Sequence, residues 1–191
     1  EMSASLVGSE MCIRDRFHID DNGMPTTVSH EKAGYLDVSP VDLGENARRD
    51  MVLTLEDMGF EVESSHHETA PAQHEIALHY GEAREMADEV ITFKMAVRTV
   101  AKRHGLHATF MPKPRREVNG SAMHIHFSLF KNGKNIFVDP EDPSRLSEEA
   151  YYFIGGLLAH SREMTLITNP LVNSYKRLVP CLLYTSDAAD D

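Results

Sequence analysis

Tryptophan is missing from this chain of 191 residues, cysteine occurs only twice, and basic residues are fewer than acidic ones. No apolar run approaches the ~20 residues that a membrane-spanning helix needs. No cysteine pair accompanies the histidines and glutamates of the chain, so their pattern is not that of a zinc ribbon or finger. The 30 acidic and 19 basic residues give a net charge of −11, which excludes a basic surface for nucleic acid. We therefore expect a soluble globular protein with no membrane or nucleic-acid partner.

Both ends of the chain differ in character from the middle. The final segment, CLLYTSDAADD, is what a tagmentation adapter used in DNA library preparation encodes when translated, and Leu6 to Asp15 resembles the partner adapter in the other orientation. We predict that residues 1–15 and 181–191 are adapter-derived and non-native, and that residues 16–180 are an internal fragment lacking both natural termini. Both cysteines, six acidic residues and one arginine belong to these flanks, so the middle has 18 basic and 24 acidic residues, a net charge of −6.

A strict alternation of apolar and polar residues begins shortly after the turn at Asn119-Gly120. Successive side chains of a strand point to opposite faces, at about 3.3 Å per residue, so two imidazoles and a hydroxyl share one face. For any one of these polar residues, the alternative is a half-buried strand with its polar face in water. The polar members are His124, His126 and Ser128, and the apolar members are Met123, Ile125, Phe127 and Leu129.

A second polar segment, EVESSHHETAPAQHE at 61–75, contains four glutamates and three histidines. Its Ala-Pro-Ala sequence at 70–72 predicts a turn between two short strands, which would bring the carboxylates of Glu68 and Glu75 together. Two close carboxylates repel each other unless a cation lies between them or one is protonated. Oxygen ligands select Mg²⁺ or Mn²⁺, and an added imidazole favours Mn²⁺. From spacing alone, the alternative is an acidic hairpin in water.

Hydrophobic periodicity predicts three helices, over residues 42–58, 82–104 and 147–168, and the last of them is expected to be mostly buried. Short alternating runs predict strands near 60–68, 73–80, 106–110, 122–130 and 134–138, and the Lys-Asn-Gly-Lys sequence at 131–134 predicts a hairpin turn. Helices alternate with hairpins and no regular βαβ series appears. The predicted fold class is therefore α+β.

Four segments resemble the glutamine synthetase family, type I, in its order and spacing. They are HHETAPAQHEI at 66–76, HGLHATFMPKP at 104–114, NGSAMHIHFS at 119–128 and NPLVNSYKRLVP at 169–180. The resemblance covers roughly Phe17 to Pro180. Ala122 stands where the family more usually has glycine, and Arg115 where it usually has an apolar residue. The resemblance implies that residues 16–180 are part of the family's catalytic domain, in which an antiparallel sheet with flanking helices forms part of an active-site barrel.

The same resemblance implies roles for nine residues and two kinds of cofactor. The cofactors would be Mg²⁺ or Mn²⁺, two or more ions per site in the intact enzyme, with ATP as co-substrate. Strict alternation puts Glu63 on the strand face opposite Glu68, so both serve one site only if a bulge lies between them. His66 is a further candidate for a phosphate contact. The implied metal ligands are Glu68, Glu75 and His124, the ATP-binding residues are Glu63, His126 and Ser128, and the glutamate-binding residues are Asn119, Gly120 and Arg177.

For the intact parent enzyme, the resemblance implies ATP-dependent ligation of ammonia to the side-chain carboxylate of glutamate. The reaction would pass through γ-glutamyl phosphate and give glutamine, ADP and phosphate. The alternatives are a related γ-glutamyl-polyamine ligase and a catalytically inactive structural relative. The resemblance further implies a cytoplasmic homo-oligomer, a dodecamer, with active sites between the subunits of a ring. Because residues 16–180 lack the family's N-terminal domain and downstream active-site segment, we predict that this polypeptide alone is inactive.

Overall fold

The chain folds around one antiparallel sheet of eight strands, in a computed structural model that describes residues 2–29 and 31–178. The strands are β1 (Met2–Ile19), β2 (Pro25–Ser29), β3 (Val62–His67), β4 (Gln73–Leu78), β5 (Gly81–Glu82), β6 (Leu106–Thr109), β7 (Met123–Lys131) and β8 (Lys134–Asn135). The sheet order is β3-β4-β1-β7-β8, and β2, β5 and β6 also pair with β1.

The helices in the described residues are α1 (Glu45–Asp57), α2 (Ala83–Arg103), α3 (Glu148–Ala159), α4 (Ser161–Thr168) and α5 (Val172–Arg177). The Glu82 side chain caps α2 by accepting hydrogen bonds from the N–H groups of Arg84 and Glu85. Gly105, with a positive φ of 70°, follows the last turn of that helix. The first two predicted helices are therefore confirmed. No helix in the described part of the chain combines the length and apolar character that crossing a membrane requires.

The hydrophobic core lies on one face of the sheet, where α1 and α2 cover it. Alternation along β4 sends Ile76 and Leu78 to this face, and neither side chain is more than 2% exposed. Helices packed against one face of an antiparallel sheet define the α+β class, so the predicted fold class is confirmed. The other main members of the core are Ile13 of β1, Met51 and Leu55 of α1, and Phe93, Val97 and Val100 of α2.

The central strand β1 is not among the predicted elements, because residues 1–15 are treated as adapter-derived. It pairs with β4 through residues 9–14 and with β7 through residues 2–11. Without β1, the facing edges of β4 and β7 would have unpaired backbone N–H and C=O groups. As an extended segment between them, β1 forms hydrogen bonds with both strands. The adapter origin of residues 1–15 stays a prediction, and residues 181–191 lie outside the described part of the chain.

The predicted helix over 147–168 is wrong in two respects. It divides at His160, whose φ of −106° and ψ of 13° end α3 before α4 begins. Gly155 and Gly156, each about 1 kcal/mol less favourable in a helix than alanine, weaken the preceding turn. The helices are also mostly exposed rather than buried: Leu158 is 72% exposed and Leu166 is 80% exposed. The middle of α3 contacts the sheet, where the Phe153 ring lies 5.6 Å from the Phe127 ring.

The predicted hairpin after β7 is confirmed, although its second strand is shorter than expected. Asn132 and Gly133 have φ values of 52° and 76°, the left-handed conformation that a two-residue hairpin turn requires. The returning strand β8 ends at Asn135, because Phe137 N bonds the Asn135 side chain instead of continuing the ladder.

Candidate active site

The β3–β4 hairpin carries the acidic residues of the site on the sheet face opposite the core. His66 pairs with Glu75, and His67 pairs with His74. Directly opposed residues share a face, so His66 and Glu75 lie on one face while His67 lies on the face with the core. The predicted turn between the strands is present: Gln73 N donates to Ala70 O at 3.0 Å.

Three side chains converge at the end of this hairpin. His66 Nε2 lies 3.1 Å from Glu68 Oε1 and 3.7 Å from Glu75 Oε1. Glu68 and Glu75 are buried, at 3% and 6% exposed. The hydrogen bond with Glu68 raises the pKa of His66, and the charges of the two carboxylates add to this effect against the cost of burial. The His66 ring thus lies against two buried carboxylates, where positive charge is favoured.

The donor set fits a divalent metal ion. His66, Glu68 and Glu75 each offer one ligand atom, and these atoms lie within 4.8 Å of one another. Two carboxylates and one imidazole match the ligand preferences of Mn²⁺, and the carboxylates alone match Mg²⁺. A bound divalent ion would offset the repulsion between the two carboxylates. Glu68 and Glu75 were both predicted here, whereas His66 was predicted only as a phosphate contact.

His124 lies on the same face, one strand further across the sheet. Position 12 of β1 pairs with Glu75, and position 10 of β1 pairs with both Ala77 and His124. Since Glu75 and Ala77 share a face, the register puts Glu75 and His124 on the same face, on either side of β1. His126 and Ser128 follow His124 along that face, as their spacing predicts. The structure thus gathers these residues on one surface but leaves His124 outside the cluster of His66, Glu68 and Glu75.

The bulge that Glu63 requires is present. Val62 pairs with Leu78 while Ser64 pairs with Ala77, so β3 holds one extra residue at Glu63. The side chain of Glu63 is exposed at this irregularity. The irregularity meets the condition for Glu63 and Glu68 to share a site, and the ATP contact assigned to Glu63 stays a prediction.

Gly120 and Arg177, both predicted as glutamate-binding residues, lie in direct contact. A Cβ atom added to Gly120 would lie 2.6 Å from Pro112 O and 2.7 Å from Arg177 Cγ, far closer than real Cβ contacts. A backbone hydrogen bond holds the next residue in place: Ser121 N donates to Pro112 O at 2.9 Å. Only glycine therefore fits at this close approach of three chain segments.

Asn173 joins the loop before Gly120 to the helix that carries Arg177. Its side chain accepts from Lys113 N at 2.7 Å and donates to Lys113 O at 2.9 Å. Lys113 Nζ in turn donates to Val118 O at 2.8 Å, which closes the loop on itself. The sequence analysis did not single out Asn173, although it lies in the NPLVNSYKRLVP segment that carries Arg177.

Two hydrogen bonds join this loop to the acidic hairpin. Gln73 Nε2 donates to Gly120 O at 2.8 Å, and Asn119 Nδ2 donates to Thr69 Oγ1 at 3.0 Å. Gln73 is 2% exposed and lies in the turn between Glu68 and Glu75. Neither Gln73 nor Thr69 was predicted to have a role, because nothing in the local sequence indicates that two loops almost 50 residues apart meet here.

A buried polar network lies beneath the acidic hairpin, on the core face of β3 and β4. His67 Nε2 lies 2.8 Å from Glu31 Oε1, and His67 Nδ1 lies 2.6 Å from Glu68 O. Burial opposes the charge of both side chains, yet their mutual hydrogen bond raises the pKa of His67 and lowers the pKa of Glu31. Arg48 links His74, at 2.7 Å, to Asp42, at 2.6 Å. His67 and His74 are both buried, so neither is solvated.

Comparison with known proteins agrees with this fold. Residues 9–185 match the protein family described as glutamine synthetase, catalytic domain. The chain is 60% identical to the glutamine synthetase of Clostridium saccharobutylicum over 164 residues, and 58% identical to that of Thermus thermophilus over 158 residues. These alignments cover 86% and 83% of this chain but 37% and 35% of the relatives. The chain therefore spans little more than a third of the length of these relatives.

Solved structures show the same architecture. A glutamine synthetase of Plasmodium falciparum, determined by cryo-electron microscopy, superposes with a TM-score of 0.79 at 30% identity, covering 93% of this chain and 40% of that one. GmaS in its ligand-free form gives a TM-score of 0.76 at 32% identity, covering 91% and 42%. The chain belongs to the glutamine synthetase family, and its fold is that of part of the catalytic domain.

Proposed function

We propose that residues 16–180 are part of a glutamate–ammonia ligase that forms glutamine from glutamate, ammonia and ATP through γ-glutamyl phosphate. A carboxylate is a poor electrophile, so ATP first converts it to an acyl phosphate, and ammonia then displaces phosphate. The observation that carries this proposal is the junction of two hydrogen-bonded loops at one end of the sheet. One loop holds the buried carboxylates Glu68 and Glu75, and the other holds Gly120 against Arg177.

Each loop suits one half of the reaction. Glu68 and Glu75 would hold a divalent ion with His66, and His124 would contribute to a second ion. When bound, Mg²⁺ or Mn²⁺ supplies charge neutralisation for the phosphates of ATP. His126, Ser128 and Glu63 would contact the nucleotide.

The glutamate pocket would form around Gly120, whose missing side chain lets backbone groups approach the substrate. Arg177 would bind a substrate carboxylate, for which the planar guanidinium offers paired donors. Asn119 would hold the turn in place through Thr69, with which it already bonds. Orientation of this kind can supply much of the barrier reduction in a group-transfer reaction.

The full-length protein that contains this segment should release phosphate with glutamate, ATP and ammonia. The assay compares ammonia with a polyamine as the acceptor, at equal concentrations and in the presence of Mg²⁺ or Mn²⁺. Faster phosphate release with ammonia supports the proposal, and faster release with the polyamine would instead identify a γ-glutamyl-polyamine ligase. No release with either amine would indicate a catalytically inactive relative.

Gly120→Ala should impair glutamate binding. The new methyl group would lie 2.6 Å from a backbone oxygen of Pro112, so the loop or Arg177 must move. Displacement of about 1 Å at a site can lower activity 10²-fold, and we expect a rise of at least 10-fold in the KM for glutamate. Steady-state kinetics measure this change. Gly155→Ala is the matched control, because a Cβ there meets no atom within 4 Å, and an equal effect of both variants would contradict the assignment.

The intact enzyme is proposed to be a cytoplasmic homo-oligomer, a dodecamer, with active sites between subunits. The exposed apolar residues of α3 and α4 support an additional covering layer in the intact protein, since such surfaces are rarely left open. Light scattering of the full-length protein tests this proposal, and a monomeric mass would contradict it.

A further inference from the structure

His67 is fully buried and bridges the acidic hairpin to a distant part of the chain. One ring nitrogen, Nδ1, lies 2.6 Å from the backbone carbonyl of Glu68. The other, Nε2, lies 2.8 Å from Oε1 of Glu31. Both partners are acceptors, so both ring nitrogens donate. The imidazole therefore holds the main chain of Glu68, while its own position is set by Glu31.

Glu31 holds the other end of the same turn. Its Oε1 also accepts a hydrogen bond from Ala72 N, and its Oε2 accepts one from Ala33 N. The turn from Glu68 to Ala72 is thus fixed at its first carbonyl through His67 and at its last N–H directly by Glu31. The His67 ring also packs edge-on against His74, with ring centroids 4.7 Å apart.

We propose that His67 and Glu31 are positioning residues that set the affinity of the neighbouring carboxylate cluster for its metal ion. This inference rests on the proposed function, because it takes Glu68 as a metal ligand. A buried carboxylate offers productive geometry only if its backbone is fixed, and the hydrogen bond from His67 fixes it from the side that a metal ion cannot occupy. Groups that orient metal ligands in this way change metal affinity by about 10–100-fold when they are lost.

Two substitutions of His67 separate its two hydrogen bonds. In His67→Asn, the amide nitrogen takes the place of Nδ1, so donation to Glu68 O is kept and the bond to Glu31 is lost. In His67→Gln, the amide nitrogen takes the place of Nε2, so the bond to Glu31 is kept and donation to Glu68 O is lost. Glutamine is also closer to histidine in volume. Packing alone therefore predicts the milder effect for glutamine, whereas the proposal predicts the milder effect for asparagine.

The experiment measures Mn²⁺ affinity by isothermal titration calorimetry, and melting temperature in parallel, on the full-length protein. We expect at least a 10-fold weaker affinity in His67→Gln and a change below 3-fold in His67→Asn. Leu55→Ala, a cavity in the same core, should lower the melting temperature without changing Mn²⁺ affinity. Equal losses in both His67 variants, or the greater loss in His67→Asn, would overturn the proposal.

A second variant covers the case in which a His67 variant fails to fold. Glu31→Asp keeps the charge but is one methylene shorter, so it cannot reach both His67 and Ala72. We expect Mn²⁺ affinity to fall 3–10-fold while kcat at saturating Mn²⁺ is kept, in line with the loss of an orienting group; unchanged affinity would overturn the proposal.

Glutamine formation by the wild type is assayed separately. Its absence would refute the ligase function alone, whereas absence of Mn²⁺ binding would refute the present proposal.

Discussion

Glu75→Gln should almost abolish glutamine formation, with a loss of at least about 10³-fold in kcat/KM. The same result is expected for Glu68→Gln. The two carboxylates are buried beside a single imidazole, and a neutral amide cannot supply the negative charge that holds a divalent ion there. Mn²⁺ affinity should fall by about 100-fold in each variant. Phosphate release and calorimetric titration with Mn²⁺ on the full-length protein check the two effects.

Glu56→Gln on α1 is the matched control for this pair, because it removes the same charge from an exposed position. Its activity and metal affinity should remain within about 2-fold of the wild type, since exposed substitutions have small effects. A Glu75→Gln protein that binds Mn²⁺ as tightly as the wild type would remove Glu75 from the proposed metal site.

The isolated chain of 191 residues should form no detectable glutamine and should aggregate when it is purified. It spans 35–37% of the length of the curated relatives described above, and the proposed active site forms between subunits of the intact enzyme. It also exposes large apolar side chains on α4 and beyond: Ile167 and Val172 are both 81% exposed. Exposed patches of this kind promote association. Glutamine formation and light scattering measure the two parts of the prediction.

A double variant distinguishes loss of solubility from loss of the site. Leu166→Glu with Ile167→Glu should reduce light scattering of the isolated chain, because two charges replace side chains that are 80% and 81% exposed. It should not restore activity. Glutamine formation by the isolated chain, with or without these substitutions, would contradict the prediction that the fragment is inactive.

Local signals in the sequence were sufficient for most of the fold. The apolar stripe of α2, its glycine at 105 and the Asn-Gly turn after β7 act within one element, so each could be predicted without its neighbours. The central strand was not predicted, because residues 1–15 were set aside as adapter-derived, and its pairing with β4 and β7 involves strands far from it in the sequence. The predicted burial of α3 and α4 was also wrong. An apolar pattern predicts that a helix face is covered, but not whether the described chain contains the segment that covers it.

In the candidate site, too, local features could be predicted from the sequence and contacts between distant residues could not. Glu68 and Glu75 were predicted to meet because only a short turn separates them, and they do meet. Strict alternation showed that Glu63 and Glu68 could share a site only with a bulge between them, and the structure has an irregularity at Glu63. By contrast, Gln73 and Glu31 act across 47 and 36 residues, through hydrogen bonds to Gly120 and His67. Contacts between distant buried polar groups leave no periodic signal in a single sequence.

The alternation along β7 limits which changes of length this region can tolerate. Gly120 and Ser121 are fixed against Pro112, and His126 pairs with position 7 of β1. If one residue were inserted or deleted between these two points, the side chains of the shifted part of the strand would move to the opposite face of the sheet. Met123 and Ile125 would then lie on the face that carries Glu75, while the imidazoles would turn to the opposite face. A single substitution there alters one contact, whereas a gain or loss of one residue would invert the whole surface.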